Sequence, residues 1–394
     1  MTRDHVCLSS IDWDFLWQGP QEVMSRAAAR GSRVVFVENT GIRGPRRADA
    51  ARIVRRLRAF IASPSGHPVH GAEGIHVLSP VIVPFPWSNV GRILNRLVFA
   101  ARLPQRVAKL GLRRPVVWTF LPNQVALDVM RAFRPTRSLA VYYCVAEFEH
   151  LADDRGALRS CEDRLVREVD IVLAGSRALL QRFAATHPRV LLAPYAVSDA
   201  FFSPAGPPPD DIARIPQPRI GYVGGLHRHV DDELLSTVAS RMTDVHFVLV
   251  GPRVSGPWPV ERLPNVHVLG ARDHDRLPAY IDAFDAGLVP YRLSPFAQSA
   301  WPTKLHEYLA RGKPVVTTPL TEVLELGYDK EIVRVAATAA DTVAAIRRAL
   351  GDADERAAAV RRELAREHSW GRLYARIEVE IDAAVADRER APSP

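Results

Sequence analysis

The chain has 394 residues, 47% of them hydrophobic and 24% charged, with a formal net charge of +8. That length exceeds one ordinary core and sets an expectation of two domains in a soluble globular protein. Three cysteines, Cys7, Cys144 and Cys161, are too few and too scattered for a disulfide framework or a zinc site, and they fit a reducing cytoplasm. The N-terminus, MTRDHVCLSSIDWDF, lacks the apolar region of a signal peptide. No apolar run approaches the ~20 residues needed to cross a bilayer, so any membrane contact is expected to be peripheral. The basic charge suits anionic partners: nucleotide diphosphates, nucleic acid or a lipid head-group surface.

Short β-type runs alternate with helical stretches from the start. His5 to Ser9, Arg33 to Glu38, Ile75 to Leu78, Val116 to Phe120, Ala140 to Tyr143, Ile171 to Ala174 and Val190 to Ala193 read as buried strands. Gln21 to Arg30, Gln124 to Phe133 and Cys161 to Val169 read as helices between them. Strand–helix alternation means βαβ units and a parallel, doubly wound sheet. The run from Ser203 to Asp211, with prolines at four of its nine positions, can continue neither a sheet nor a helix and reads as a linker. Alternation then restarts at Arg219 to Val223, His246 to Val250, Val266 to Leu269, Ala286 to Val289, Pro314 to Thr317 and Ile332 to Val335. A long helical tract, Gly371 to Asp387, ends the pattern.

The expected architecture is therefore α/β, with two doubly wound Rossmann-like domains. They span residues 1–202 and 217–370, joined by a linker at 203–216. A C-terminal helix in 371–394 is expected to pack back on the first domain. Two such domains leave a cleft, and ligands bind open α/β sheets at the C-terminal ends of the strands.

Several residues are candidates for a site at those ends. Ser9 to Gln21 leaves the first strand as an aromatic and polar loop. Trp13 and Trp17 suit stacking on a sugar ring, Asp12, Asp14, Gln18 and Gln21 suit its hydroxyls, and Gly19 beside them is a further acceptor or sugar candidate; the plainer alternative is that the tryptophans pack on the neighbouring helix. Glu147 and Glu149, after Ala140 to Tyr143, are further acceptor or sugar candidates. Two basic tracts, Arg43 to Arg58 and Arg92 to Arg114, suit an anionic membrane surface or an anionic acceptor, or else form solvated helix faces. No nucleic-acid-binding module with interleaved aromatics supports the remaining use of positive charge.

In the second half, Gly224-Gly225 follows a strand directly, where backbone can approach a diphosphate; a plain tight turn is the alternative. Arg228 stands within reach of phosphate, and Gly251 ends the next strand. The most informative stretch is Ala283 to Pro319, AFDAGLVPYRLSPFAQSAWPTKLHEYLARGKPVVTTP. A buried strand, Ala286 to Val289, runs into a loop holding Tyr291, and the loop feeds a helix that opens at Pro302-Thr303 and carries Lys304 and Glu307 near one face. Unpaired N–H groups at a helix start attract phosphate. A carboxylate one turn on can accept hydrogen bonds from a sugar diol. An ordinary intrahelical ion pair is the alternative for the same two residues.

Pro302 to Val316, PTKLHEYLARGKPVV, resembles the donor-binding segment of GT-B glycosyltransferases, the group 1, GT4-like enzymes in particular. Gly221-Tyr-Val-Gly-Gly with Phe247-Val-Leu-Val-Gly-Pro resembles the start of their donor domain, and Ala193 to Phe202 the segment entering their interdomain linker. Trp17-Gln-Gly-Pro-Gln with Ala29 to Glu38 also fits bacterial members. The resemblance implies a nucleoside-diphosphate sugar as donor substrate in the second domain and no further cofactor. It implies an acceptor in the first domain, either a small molecule or a lipid-linked glycan, and transfer with retention of configuration. It also implies that Glu307 binds the ribose hydroxyls, that Lys304 lies near the diphosphate, and that no metal is essential. Two positions depart from the family pattern. Ser299 stands where a first glutamate is common, and Leu226-His-Arg-His-Val replaces the usual Arg and Lys after the glycine loop, leaving only Arg228 as a partial substitute. The donor sugar stays open. A sugar-nucleotide epimerase on the same fold and a non-catalytic partner of another transferase are the rival expectations.

Overall fold

The computed structural model describes residues 2–14, 17–41, 66–69, 72–80, 82–83, 88–256, 258–299, 301–352 and 354–390. The first basic tract, with Arg43, Arg46, Arg47, Arg52, Arg55, Arg56 and Arg58, lies outside the described residues. Two compact units are resolved, one formed by Met1–Pro194 with Tyr374–Pro394, the other by Tyr195–Leu373.

The first unit is built on an eight-stranded sheet in the order 3-4-2-1-5-6-7-8. Its strands are β1 (His5–Leu8), β2 (Val34–Val37), β3 (His67–Pro68), β4 (Ile75–Leu78), β5 (Val116–Thr119), β6 (Leu139–Cys144), β7 (Ile171–Ala174) and β8 (Val190–Leu192). All pairings are parallel except the short β3 against β4. The sequences VVFV, VVWT and IVLA are continuous apolar runs because helices cover both faces of a parallel sheet. The helix Gln124–Phe133 packs Val125, Val129 and Phe133 into that core, and the Asn123 side chain caps it by accepting from the Ala126 amide at 2.8 Å. The helix expected from Cys161 to Val169 runs instead from Arg155 to Val166, started by the Asp154 carboxylate accepting from the Ala157 amide at 2.9 Å.

The second unit carries a six-stranded parallel sheet in the order 11-10-9-12-13-14. The strands are β9 (Arg219–Val223), β10 (His246–Val250), β11 (Val266–Gly270), β12 (Ala286–Val289), β13 (Val315–Thr317) and β14 (Val333–Val335). The proline-rich stretch expected to divide the domains lies within this unit. Val197, Phe201, Ile212 and Ile215 are buried in its core with Tyr280, Leu305 and Tyr308, so the prolines interrupt regular structure without interrupting packing. The last helix, Trp370–Arg390, begins in the second unit, and from Tyr374 onward it belongs to the first. Arg388 bonds the Asp170 carboxylate at 3.2 Å and Arg3 bonds Asp382 at 2.6 Å, tying that helix to the start of the chain and to β7.

Candidate functional site

In the second unit the loops after β9, β10, β12 and β13 share one sheet edge, because these strands are parallel. They are tied to each other through backbone. The Gly224 amide donates to the Val250 carbonyl at 2.8 Å, Asp231 N–H to Pro290 O at 2.7 Å, and Leu226 N–H to Pro252 O at 2.8 Å. Thr318 joins the loop after β13 to Tyr291, its hydroxyl donating to the Tyr291 carbonyl at 2.8 Å.

Two of the glycines are demanded by this arrangement. Gly224 has φ +136°, and a Cβ there would lie 2.2 Å from Lys304 Cε. Gly251 has φ +156°, and a Cβ there would lie 2.0 Å from the Gly224 carbonyl oxygen, a backbone atom that cannot swing aside. Gly251→Ala is expected to destabilise the protein by about 1–2 kcal/mol through strain and displacement of the Gly224 turn. An unchanged thermal midpoint would show that the turn is looser than its contacts require.

The helix Thr303–Ala310 begins at Pro302 and points its first turn at this edge. Lys304 Nζ lies 5.7 Å from the centroids of both the Tyr222 and Tyr291 rings, a cation–π cradle. Burial works to lower the Lys304 pKa, but Tyr291 and the Glu307 carboxylate outweigh it, so the ammonium lies above its ordinary range and stays charged. Glu307 is moved the other way: burial raises its carboxyl, with Lys304 and His274 opposing. The two residues are thus half-buried neighbours on one helix, not a solvated surface pair.

Gly224, Gly225, Gly251, Tyr291, Thr303, Lys304 and Glu307 come together along this edge, but Arg228 does not join them closely. It is exposed and makes no hydrogen bond or ion pair among the described residues. The residue beside Lys304 from that loop is His227, which sequence reasoning passed over. Burial, the Lys304 charge and His229 hold its pKa down to about 4, and its ring lies 6.0 Å from Tyr291. Leu226, the first residue of the departing motif, is core. Ser299, at the position of the missing glutamate, is buried.

In the first unit the loops after β1, β2, β5 and β6 likewise share an edge. Trp13 packs edge-on against Phe36 at 4.9 Å and against Trp17 at 6.1 Å, and its amide donates to Glu38 at 3.1 Å. Gln18 and Gln21 form a capping box at the start of the Gly19–Ala29 helix, and the Gln21 amide also donates to the Trp13 carbonyl at 3.1 Å. Gln21 is fully buried, and its groups shape the loop. Trp17 is the more exposed tryptophan, its indole N–H held by Glu22 at 2.5 Å. Asp12 is buried, Glu147 is half-buried and Glu149 lies 3.9 Å from Arg159. Glu38 and Asn123, which sequence reasoning did not single out, stand at the same edge. Glu38 also accepts from Ser79 at 2.7 Å, and Asn123 bonds the Thr40 hydroxyl at 2.7 Å.

Among the described residues no group of three or more His, Cys, Asp or Glu side chains could hold a metal ion. Among them also, no helix is long and apolar enough to cross a membrane.

Comparison with solved structures defines the class. The chain is similar to a sucrose-phosphate synthase from Thermosynechococcus elongatus, with a TM-score of 0.69 at 17% identity over 98% of this chain and 100% of that one. It is also similar to Anabaena Alr3699/HepE in complex with UDP-glucose, with a TM-score of 0.64 at 14% identity over 98% of both chains. The two parallel-sheet units carry the GT-B fold. The stretch 217–352, which holds every residue of the second-unit site, matches the family model of glycosyl transferases group 1. In sequence the chain is 31% identical over 238 residues to the Bacillus subtilis (strain 168) protein TuaH, assigned to teichuronic acid biosynthesis as a glycosyltransferase. That match takes in 57% of this chain and 59% of the relative, so the chain spans little more than half the length of the curated relative it matches.

Proposed function

We propose that the protein is a glycosyltransferase that moves a sugar, with retention, from a nucleoside diphosphate to a hydroxyl or amine of an acceptor. The observation that carries this reading is the pairing of Lys304 and Glu307 on one helix start against the Gly224 turn. A permanently charged ammonium beside a glycine backbone suits a diphosphate, and a half-buried carboxylate one turn on suits the ribose diol. The family match at 217–352 and the UDP-glucose complex of the HepE neighbour support the same donor class.

In the reaction the bond from the anomeric carbon to the diphosphate oxygen breaks and a bond to the acceptor heteroatom forms, whose proton is released. Negative charge grows on the departing phosphate, and the Lys304 ammonium meets it there. Trp13, Trp17, Glu38 and Glu147 at the edge of the first unit's sheet are the proposed acceptor contacts, the acceptor being a small molecule or a lipid-linked glycan. Peripheral contact with a membrane belongs to this reading, and neither a metal nor nucleic acid enters it.

Thermal shift against a panel of nucleoside diphosphates and their sugars tests the donor site, since a ligand bound only by the native state raises its stability by mass action. One base is expected to stand out with a shift of several degrees. Release of nucleoside diphosphate that depends on added acceptor then establishes transfer. Isomerised sugar without acceptor would make it an epimerase, and no turnover with any bound donor a non-catalytic partner.

A further inference from the structure

The helix Asn89–Val98 is turned inside out relative to an ordinary surface helix. Its inward face carries Gly91 and Asn95, the latter clamped to the backbone of Val83 by bonds of 2.7 and 3.2 Å. Its outward face carries Val90, Ile93, Leu94, Leu97 and Val98, exposed by between 42% and 70%. Those positions follow the i, i+3, i+4, i+7, i+8 stripe that surface helices normally bury. Five large apolar side chains in one stripe mark an interaction surface, not scattered exposure.

Charge beside the stripe says what covers it. A groove of about 390 Å³ runs along the same helix, lined by Asn89, Arg92, Ile93, Arg96, Gln124, Asp128, Arg131 and Arg164. Four guanidinium groups face one carboxylate there. Asp128 is engaged by Gln124 at 2.8 Å, and Arg131 shares Glu168 at 3.1 Å. Arg92 and Arg96 make no ion pair among the described residues and present their charge to the groove and to solvent. An apolar stripe bordered by unneutralised arginines matches the boundary between acyl chains and anionic head groups. A second protein would have to bring both an apolar groove and a row of acids in register.

We infer that the outer face of the Asn89–Val98 helix seats on an anionic lipid bilayer, the apolar stripe entering the acyl boundary and the arginine groove taking lipid phosphates. This names the surface behind the peripheral contact in the reading above. Its test needs neither donor nor turnover, so it can fail while the transferase reading stands, and the reverse.

The measurement is co-sedimentation of the full chain with phosphatidylglycerol-containing and with pure phosphatidylcholine vesicles, at low and high salt. The wild type is expected to pellet with the anionic vesicles alone and to be partly released by salt as screening shortens the reach of the arginines. Ile93→Asp with Leu97→Asp is expected to cut binding about tenfold or more, because a charge is costly inside the apolar layer. Arg92→Gln with Arg96→Gln is expected to erase the preference for anionic lipid. Both pairs change exposed or half-buried side chains, so an unchanged thermal midpoint certifies the fold. Three results would overturn the inference: equal or negligible binding to both kinds of vesicle, an Ile93/Leu97 variant that binds as the wild type does, or a wild-type dimer that the same variant dissolves.

Discussion

Lys304→Ala is expected to lower kcat by about 10²–10³-fold, the loss typical of removing one preorganised donor to a developing oxyanion. The ammonium is held 5.7 Å from two ring centroids and beside the Gly224 turn, so the site does not have to reorganise when the phosphate leaves. Its pKa lies above the ordinary lysine range, so any stability it contributes is present at neutral pH and is lost only as pH rises through that elevated value. The defect should therefore be constant between about pH 6 and about pH 9. Lys304→Met separates packing from charge, since it keeps the stem between Tyr222 and Tyr291. It should be as inactive as the alanine variant while unfolding nearer to wild type. Steady-state turnover at saturating donor decides the matter, and a variant turning over at the wild-type rate would reduce Lys304 to a packing partner of Tyr222 and Tyr291.

The clustering at the edge of the second unit's sheet was legible in the sequence because its signals are local. A buried strand, a proline at a helix start and a Lys-x-x-Glu spacing fix where Lys304 and Glu307 fall, whatever the rest of the chain does. His227 was not legible, because what holds its pKa down is burial first and then the charge of Lys304, and both arise only from the tertiary fold that pairs β9 with β12. The contact that makes Gly251 irreplaceable depends in the same way on β9 and β10 lying side by side. The proline-rich stretch misled for the opposite reason: its composition forbids regular structure, yet Phe201, Ile212 and Ile215 around it are core. Gln21 looked like a hydroxyl ligand by residue type, whereas its amide closes the loop from Trp13. The charge of the Arg92 to Arg114 tract was plain in the sequence. That its first helix turns Gly91 and Asn95 inward and its aliphatic side chains outward could be learned only from burial.

Glu307→Gln is expected to weaken donor binding by about 1.5–3 kcal/mol, or about 10–150-fold in Kd, the loss of a charge-assisted hydrogen bond to the ribose. The pH dependence carries a second signature. Burial raises the Glu307 carboxyl above its ordinary value, and Lys304 with His274 only partly opposes it. The ionised form is the better acceptor for ribose hydroxyls, so wild-type affinity for an intact sugar nucleotide should rise with pH through that elevated pKa and then level off. The phosphodiester groups of such a donor do not titrate there, and His227, with a pKa of about 4, would strengthen binding on the acid side, the opposite slope. The glutamine variant should lose the rise. For stability the sign reverses: a carboxyl whose pKa is raised by folding costs nothing below its unfolded value and destabilises the fold as pH climbs through the folded one. Glu307→Gln should then unfold at the same or a higher temperature than wild type at neutral pH while binding donor less well. A residue kept only as the structural partner of Lys304 would give the reverse pair of results, a lower midpoint with an unchanged Kd. Calorimetric titration and thermal unfolding of the one variant, each at acid and neutral pH, therefore separate a ligand-binding carboxylate from a structural one.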